Sequence, residues 1–171
     1  SLVETWAWLR YQSTMGKLQL DGGFHVDVGS LFTRTSGLEV FQPRLNLSYQ
    51  IGDGWRLKGS YGRYNQNIIT VNNEDDVISI FDAWIEVPEN LHSEQSDHYV
   101  AGVEGNLFPE LSLNLQSYYK KYGSLVSYNR DKVDAQDPDY INSIGEAYGF
   151  ETLFRYGVPF VDIYTAYTLS W

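Results

Sequence analysis

Between Leu45 and Gln50 apolar and polar residues take turns: Leu, Asn, Leu, Ser, Tyr, Gln. A period of two puts one kind of side chain on each face of an extended strand, whereas a helix would spread both kinds around its surface. After Gly52-Asp53-Gly54 the alternation resumes, with Trp55, Leu57, Gly59 and Tyr61 on one side and Arg56, Lys58, Ser60 and Gly62 on the other. A tight Gly-rich turn between two such runs predicts a β-hairpin.

The unit recurs along the chain. Tyr99, Ala101, Val103, Gly105 and Leu107 oppose His98, Gly102, Glu104 and Asn106, and Phe108-Pro109-Glu110 then turns the chain into Leu111, Leu113 and Leu115 against Ser112, Asn114 and Gln116. A third hairpin runs from Tyr148 through Gly157-Val158-Pro159 to Trp171. The opening one has large apolar groups on both faces from Trp6 to Tyr11, but beyond Met15-Gly16 it alternates cleanly from Lys17 to Val28. Eight strands in four hairpins are predicted, all-β and antiparallel.

Connections inside the hairpins are short, and those between them are long: about Ser30 to Gln42, about Asn65 to Gln95 and about Ser124 to Ile144. In an up-and-down sheet, successive connections lie at opposite ends, so the short turns share one rim and the long loops the other. Transmembrane β-barrels have this asymmetry. A soluble sandwich or half-barrel would alternate identically.

Aromatic placement bears on that choice. Trp55, Tyr61, Tyr99, Tyr119, Tyr156, Tyr167 and Trp171 lie towards strand ends on the apolar side, as rings at a membrane boundary would. The polar side carries Arg44, Lys58, Glu104, Lys120, Glu151 and Arg155, too many ionisable groups for a dry core and suited to a wet or protein-filled lumen. No run approaches the roughly 18 apolar residues of a membrane-spanning helix, a limit that strands of about 9–11 residues do not face. An up-and-down transmembrane barrel over residues 1–171, with no second domain, is the expected fold.

Charge and composition narrow the function. With 22 Asp+Glu against 12 Lys+Arg the net charge is −10, so nucleic acid is not an expected partner. There is no cysteine, and His25, His92 and His98 have no partner at zinc spacing. No Gly-x-Ser-x-Gly nucleophile turn occurs, so neither a catalytic role nor a cofactor is expected.

Two acidic loops stand out. Asp131, Asp134, Asp137 and Asp139 offer hard oxygen ligands of the kind Ca²⁺ takes, but an EF-hand beginning at Asp131 needs Gly at Gln136 and Glu at Asn142. A solvated acidic loop is the alternative. Asn73, Glu74, Asp75 and Asp82 with Trp84 combine carboxylates and an amide with a ring that can stack on a ligand, which makes them the substrate-facing candidates. The intervening Val77-Ile78-Ser79-Ile80-Phe81 can instead pack that loop onto its neighbours or form a short helix. Arg44, Arg56, Lys58 and Glu104 either meet a plug or substrate or neutralise one another across strands.

Pro43 to Gln50 and Trp55 to Tyr64 resemble the barrel of TonB-dependent outer-membrane receptors. Asn73-Glu74-Asp75 with Asp82-Ala83-Trp84 is similar to a long loop of some members, and Ser96 to Glu104 to the strand that follows it. Ser117 to Tyr122, Gly145 to Glu151 and Tyr167 to Trp171 continue the likeness in the family's order, from about Lys17 to the C-terminus. The resemblance implies a barrel of about 22 strands closed by a plug domain. It also implies TonB-energised import of an iron chelate, cobalamin or a glycan across the outer membrane, with that membrane's lipid, the plug and the TonB complex as partners. Since the sequence carries no recognisable plug or contact motif, the chain is expected to be a barrel segment. A small complete eight-stranded barrel with a structural or adhesive role, or a soluble β-sheet binding module, are the other readings.

Overall fold

The computed structural model describes residues 5–27, 41–71, 83–88, 90–134 and 136–171. The strands are β1 (Trp6–Met15), β2 (Leu18–Asp27), β3 (Phe41–Gly52), β4 (Trp55–Gln66), β5 (Ile68–Val71), β6 (Ala83–Glu86), β7 (Glu94–Phe108), β8 (Leu111–Tyr128), β9 (Tyr140–Val158) and β10 (Val161–Ser170). Eight of them form one antiparallel sheet in the order β1-β2-β3-β4-β7-β8-β9-β10, while β5 and β6 pair separately. The sheet is an open, up-and-down wall with β1 and β10 at its edges.

Four tight turns, at Gly16-Lys17, Asp53-Gly54, Pro109-Glu110 and Pro159-Phe160, lie on one rim. Gly16 and Gly54 adopt φ of 59° and 77°, the left-handed region in which a side chain is strained. The strand ends that the long connections join lie on the opposite rim, as the alternation predicts.

Two of those connections differ from expectation. The one expected from about Asn65 to Gln95 contains the β5–β6 ladder, registered from Ile68↔Glu86 to Val71↔Ala83. The one expected from about Ser124 to Ile144 shrinks to residues 129–139, because β8 and β9 run on to Tyr128↔Tyr140. A bulge between Tyr122 and Leu125 adds one residue to β8 and reverses which positions face which way, so the simple alternation cannot be followed past it. The Val77 to Phe81 stretch lies outside the described residues.

The register separates two faces. One carries Leu45, Tyr61, Tyr99, Tyr119 and Tyr148 as a single row of directly opposed residues, then Leu47, Gly59, Ala101, Ser117, Phe150 and Leu169 as the next row towards the turns. From there to the turn rim this face of β3–β10 carries no Asp, Glu, Lys or Arg. The other face holds Arg44, Lys58, Glu104, Lys120, Glu151 and Arg155, all on the side the sequence assigns them.

The polar face is the concave one. A Cβ added at Gly102 or Gly149 on that side would lie 2.6 or 2.5 Å from the carbonyl oxygen of Leu115 or Leu169 on the next strand, whereas at Gly59 on the apolar side it meets nothing within 4 Å. Strands that converge on one side bend the sheet around it. The apolar side chains of the convex face stand in the open, with Leu57, Phe150 and Ile163 47%, 42% and 52% exposed.

Buried apolar side chains among the described residues gather at the loop rim, where Ile69 and Val87 are 4% and 1% exposed. The Val87 N–H donates to the Asn67 carbonyl at 2.8 Å, and the Asn67 amide donates to Asp27 at the end of β2 at 2.6 Å. Farther along, the His92 N–H donates to Asn142 Oδ1 at 3.1 Å, which ties the excursion between β4 and β7 to β9.

Candidate functional site

The concave face divides into a turn-side and a loop-side region. On the turn side its charges satisfy one another. Lys58 forms an ion pair with Glu104, and Arg56 reaches the other oxygen of that carboxylate at 3.6 Å. Gln116 donates to Glu151 at 2.6 Å, and Arg155 grips Asp162 with two bonds of 3.1 and 3.0 Å. Of the lumen candidates, Lys58 and Glu104 are therefore partners of each other, the cross-strand neutralisation that opposite charges on adjacent strands favour.

Arg44 behaves differently. It belongs to a loop-side row, Arg10, Gly23, Arg44, Gly62, His98 and Lys120, in which each residue opposes the next across the ladder. The Arg44 guanidinium lies over the Tyr64 ring, 4.7 Å from its centroid, and Lys120 Nζ lies 5.1 Å from the Tyr118 centroid. Rings hold these cations through their negative π faces and leave N–H donors free at the edge. Tyr64 in turn packs on His98 with centroids 4.6 Å apart, and His98 Nε2 is 3.1 Å from Ser96 Oγ.

Beside Arg44 the wall opens into a cleft of about 520 Å³ lined by Trp6, Trp8, Arg10, Asp21, His25 and Asn46 among others. That size is in the range of small-molecule sites. Arg10 is locked to Asp21 at 2.9 Å, while Trp6 packs on His25 with centroids 5.4 Å apart. His25 Nδ1 has no hydrogen-bond partner among the described residues. The Trp6–Tyr11 stretch looked ambiguous because both faces carry large apolar groups, and the register resolves it by placing Trp6 and Trp8 on the concave side opposite Asp27 and His25.

On the convex side, the tyrosine row is bordered towards the loops by Arg63, Asp97, Lys121 and Glu146, opposed in register. Arg63 bonds Asp97 at 2.9 and 3.1 Å, and the Tyr61 and Tyr119 hydroxyls donate to Asp97 and Glu146 at 2.8 and 3.0 Å. Tyr148 stacks on Trp171 at 5.6 Å and extends the row to the last residue. Of the rings expected at a boundary, Tyr61, Tyr99, Tyr119 and Trp171 belong to this row, and Tyr148 joins them. Tyr167 lies two rows deeper, opposite Thr152.

Among the loop candidates, Asn73, Glu74, Asp75 and Asp82 lie outside the described residues; the backbone of Trp84 pairs with Thr70 in the β5–β6 ladder. In the other loop, the Asp137 carboxylate accepts the N–H groups of Val133 and Asp134 at 3.0 and 2.9 Å, which hold its pKa below the ordinary carboxylate value. Asp139 pairs with Lys132 at 2.6 Å and raises the lysine's pKa. Asp131 uses its N–H on Asn129, and no three of the loop's carboxylates converge among the described residues.

Comparison with known proteins gives this wall its context. No curated protein matches the sequence. Among solved structures the chain is similar to the siderophore receptor PirA from Pseudomonas aeruginosa, with a TM-score of 0.66 and 16% identity over 96% of this chain and 34% of that one. The chain thus spans about a third of that receptor's length. Residues 3–171 match the family described as TonB dependent receptor-like, beta-barrel, so the chain belongs to the β-barrel family of TonB-dependent receptors.

Proposed function

We propose that this chain forms part of the barrel wall of an outer-membrane receptor that takes up a scarce nutrient with energy delivered through TonB. The observation that carries the reading is the height of the uncharged convex band. Tyr148 and Val158 stand ten residues apart on β9. At about 3.3 Å per residue and a strand tilt of about 40°, that spacing crosses about 25 Å, the height of the apolar band of outer-membrane barrels. Family membership and the polar concave face support the same reading, with lipid outside and a plug or ligand inside. The nutrient is of the iron-chelate, cobalamin or glycan class.

The test is to express the complete receptor in cells with and without a working TonB complex and to follow uptake of labelled candidate nutrients. Uptake that stops when the complex is removed, by a protein recovered from outer membranes and needing detergent for extraction, is the expected result. Recovery as a folded monomer in plain buffer, or uptake indifferent to TonB, sinks the proposal.

A further inference from the structure

We propose that the loop-side concave face binds a compact polyanion between Arg44 and Lys120. This deepens the receptor reading above and rests on it. The two cations belong to one row of the ladder, separated by Gly62 and His98 on the intervening strands. Three strand intervals of about 4.8 Å set their backbones about 14 Å apart, so a ligand about 10 Å wide with anionic groups on two sides can engage both.

Three observations favour a negative ligand over a neutral one. Neither cation forms an ion pair among the described residues, although the chain carries a net charge of −10 and every other lumen-facing cation of the main sheet has a carboxylate. The concave carboxylates within reach are already engaged: Asp21 by Arg10 and Gln12, Glu151 by Gln116, and Glu94 by the Val126 N–H. Finally, each cation rests on a ring, which orients it without neutralising it.

The experiment uses the complete receptor in detergent and two ferric chelates of similar size, a strongly anionic tris-catecholate and a charge-neutral tris-hydroxamate, with affinities read from tryptophan quenching. The anionic chelate is expected to bind at least about tenfold more tightly. Arg44→Gln and Lys120→Gln should each weaken it about tenfold, the size of a lost charge-assisted hydrogen bond. Arg155→Gln, at the turn rim, should leave it unchanged. Equal affinity for the neutral chelate, binding of neither, or affinities untouched by Arg44→Gln and Lys120→Gln would each overturn the proposal. A lower plug melting temperature with unchanged affinity would also overturn it and assign the two cations to plug carboxylates. TonB-dependent uptake is scored separately in cells: if it persists through any of these outcomes, only the polyanion is lost, and if it is absent the receptor reading itself fails.

Discussion

Arg63 follows Gly62, the residue that opposes Arg44, so two guanidinium groups leave the sheet within one step of each other on opposite faces. On the convex side Arg63 meets Asp97 in a two-bond ion pair that also takes the Tyr61 hydroxyl. On the concave side Arg44 lies over the face of Tyr64 and meets no carboxylate among the described residues. The surroundings account for the contrast. A charge at the edge of a lipid layer is costly unless its counter-charge is built in, whereas a charge facing a wet cavity can wait for a partner that arrives from solution. Of these two neighbouring guanidinium groups, the one on the convex side is thus sealed by its carboxylate and the one on the concave side is left open to bind.

That contrast is open to attack at several strengths. The largest effect is expected at mid-height, where Leu115 opposes Val103 and Thr152 on the convex side and Gln116 points into the concavity. Leu115→Arg should destabilise the complete receptor by about 2–4 kcal/mol in denaturant titrations from lipid bilayers, with Gln116→Arg costing far less. A larger cost for Gln116→Arg would mean that the two faces have been assigned the wrong way round, and equal costs that neither of them faces lipid. Arg63→Gln should cost about 1 kcal/mol, since it leaves a partly shielded Asp97 without its cation. Lys58→Gln should cost less than about 0.5 kcal/mol by the same measurement, because Lys58 is largely exposed and Arg56 remains beside Glu104.

The smallest effect lies in the loop. The folded pKa of Asp137 is lowered by two N–H donors, so its contribution is present above the unfolded value of about 3.9 and fades as pH falls through the folded value. Protection of the Val133 and Asp134 amides, measured against the intrinsic exchange rate at each pH, should fall between neutral and strongly acidic pH, and Asp137→Ala should remove that dependence. Protection that ignores both changes would show the turn to be held by something else.

The alternation made most of the wall legible, because a strand with lipid on one side and water on the other is forced into a period of two. The turns and the inward positions of Arg44, Lys58 and Glu104 followed from it. Periodicity failed where the phase breaks, at the Gly123-Ser124 bulge, and so underestimated β8 and β9. It also missed the convex charges Arg63, Asp97, Lys121 and Glu146, which occupy apolar-phase positions beyond the tyrosines. Residue parity tells which face a side chain takes and carries no information about its height along the strand. The difference between Arg44 and Lys58 was invisible for another reason: both are lumen cations by parity, and only the residue across the ladder, Gly62 for one and a neighbour of Glu104 for the other, separates them.

The tyrosine row has a geometric corollary. Residues opposed in a ladder lie perpendicular to their strands, so when strands lean by about 40° the row leans with them. From Tyr61 to Tyr148 it crosses three strand intervals. At about 4.8 Å each, the far end stands about 9 Å above the near one, more than the depth of one headgroup layer at about 6 Å. The phenols therefore form a ramp rather than a level ring. Against the lipid proposed to cover this wall, one chemical group would stand at depths about 9 Å apart within a span of four strands.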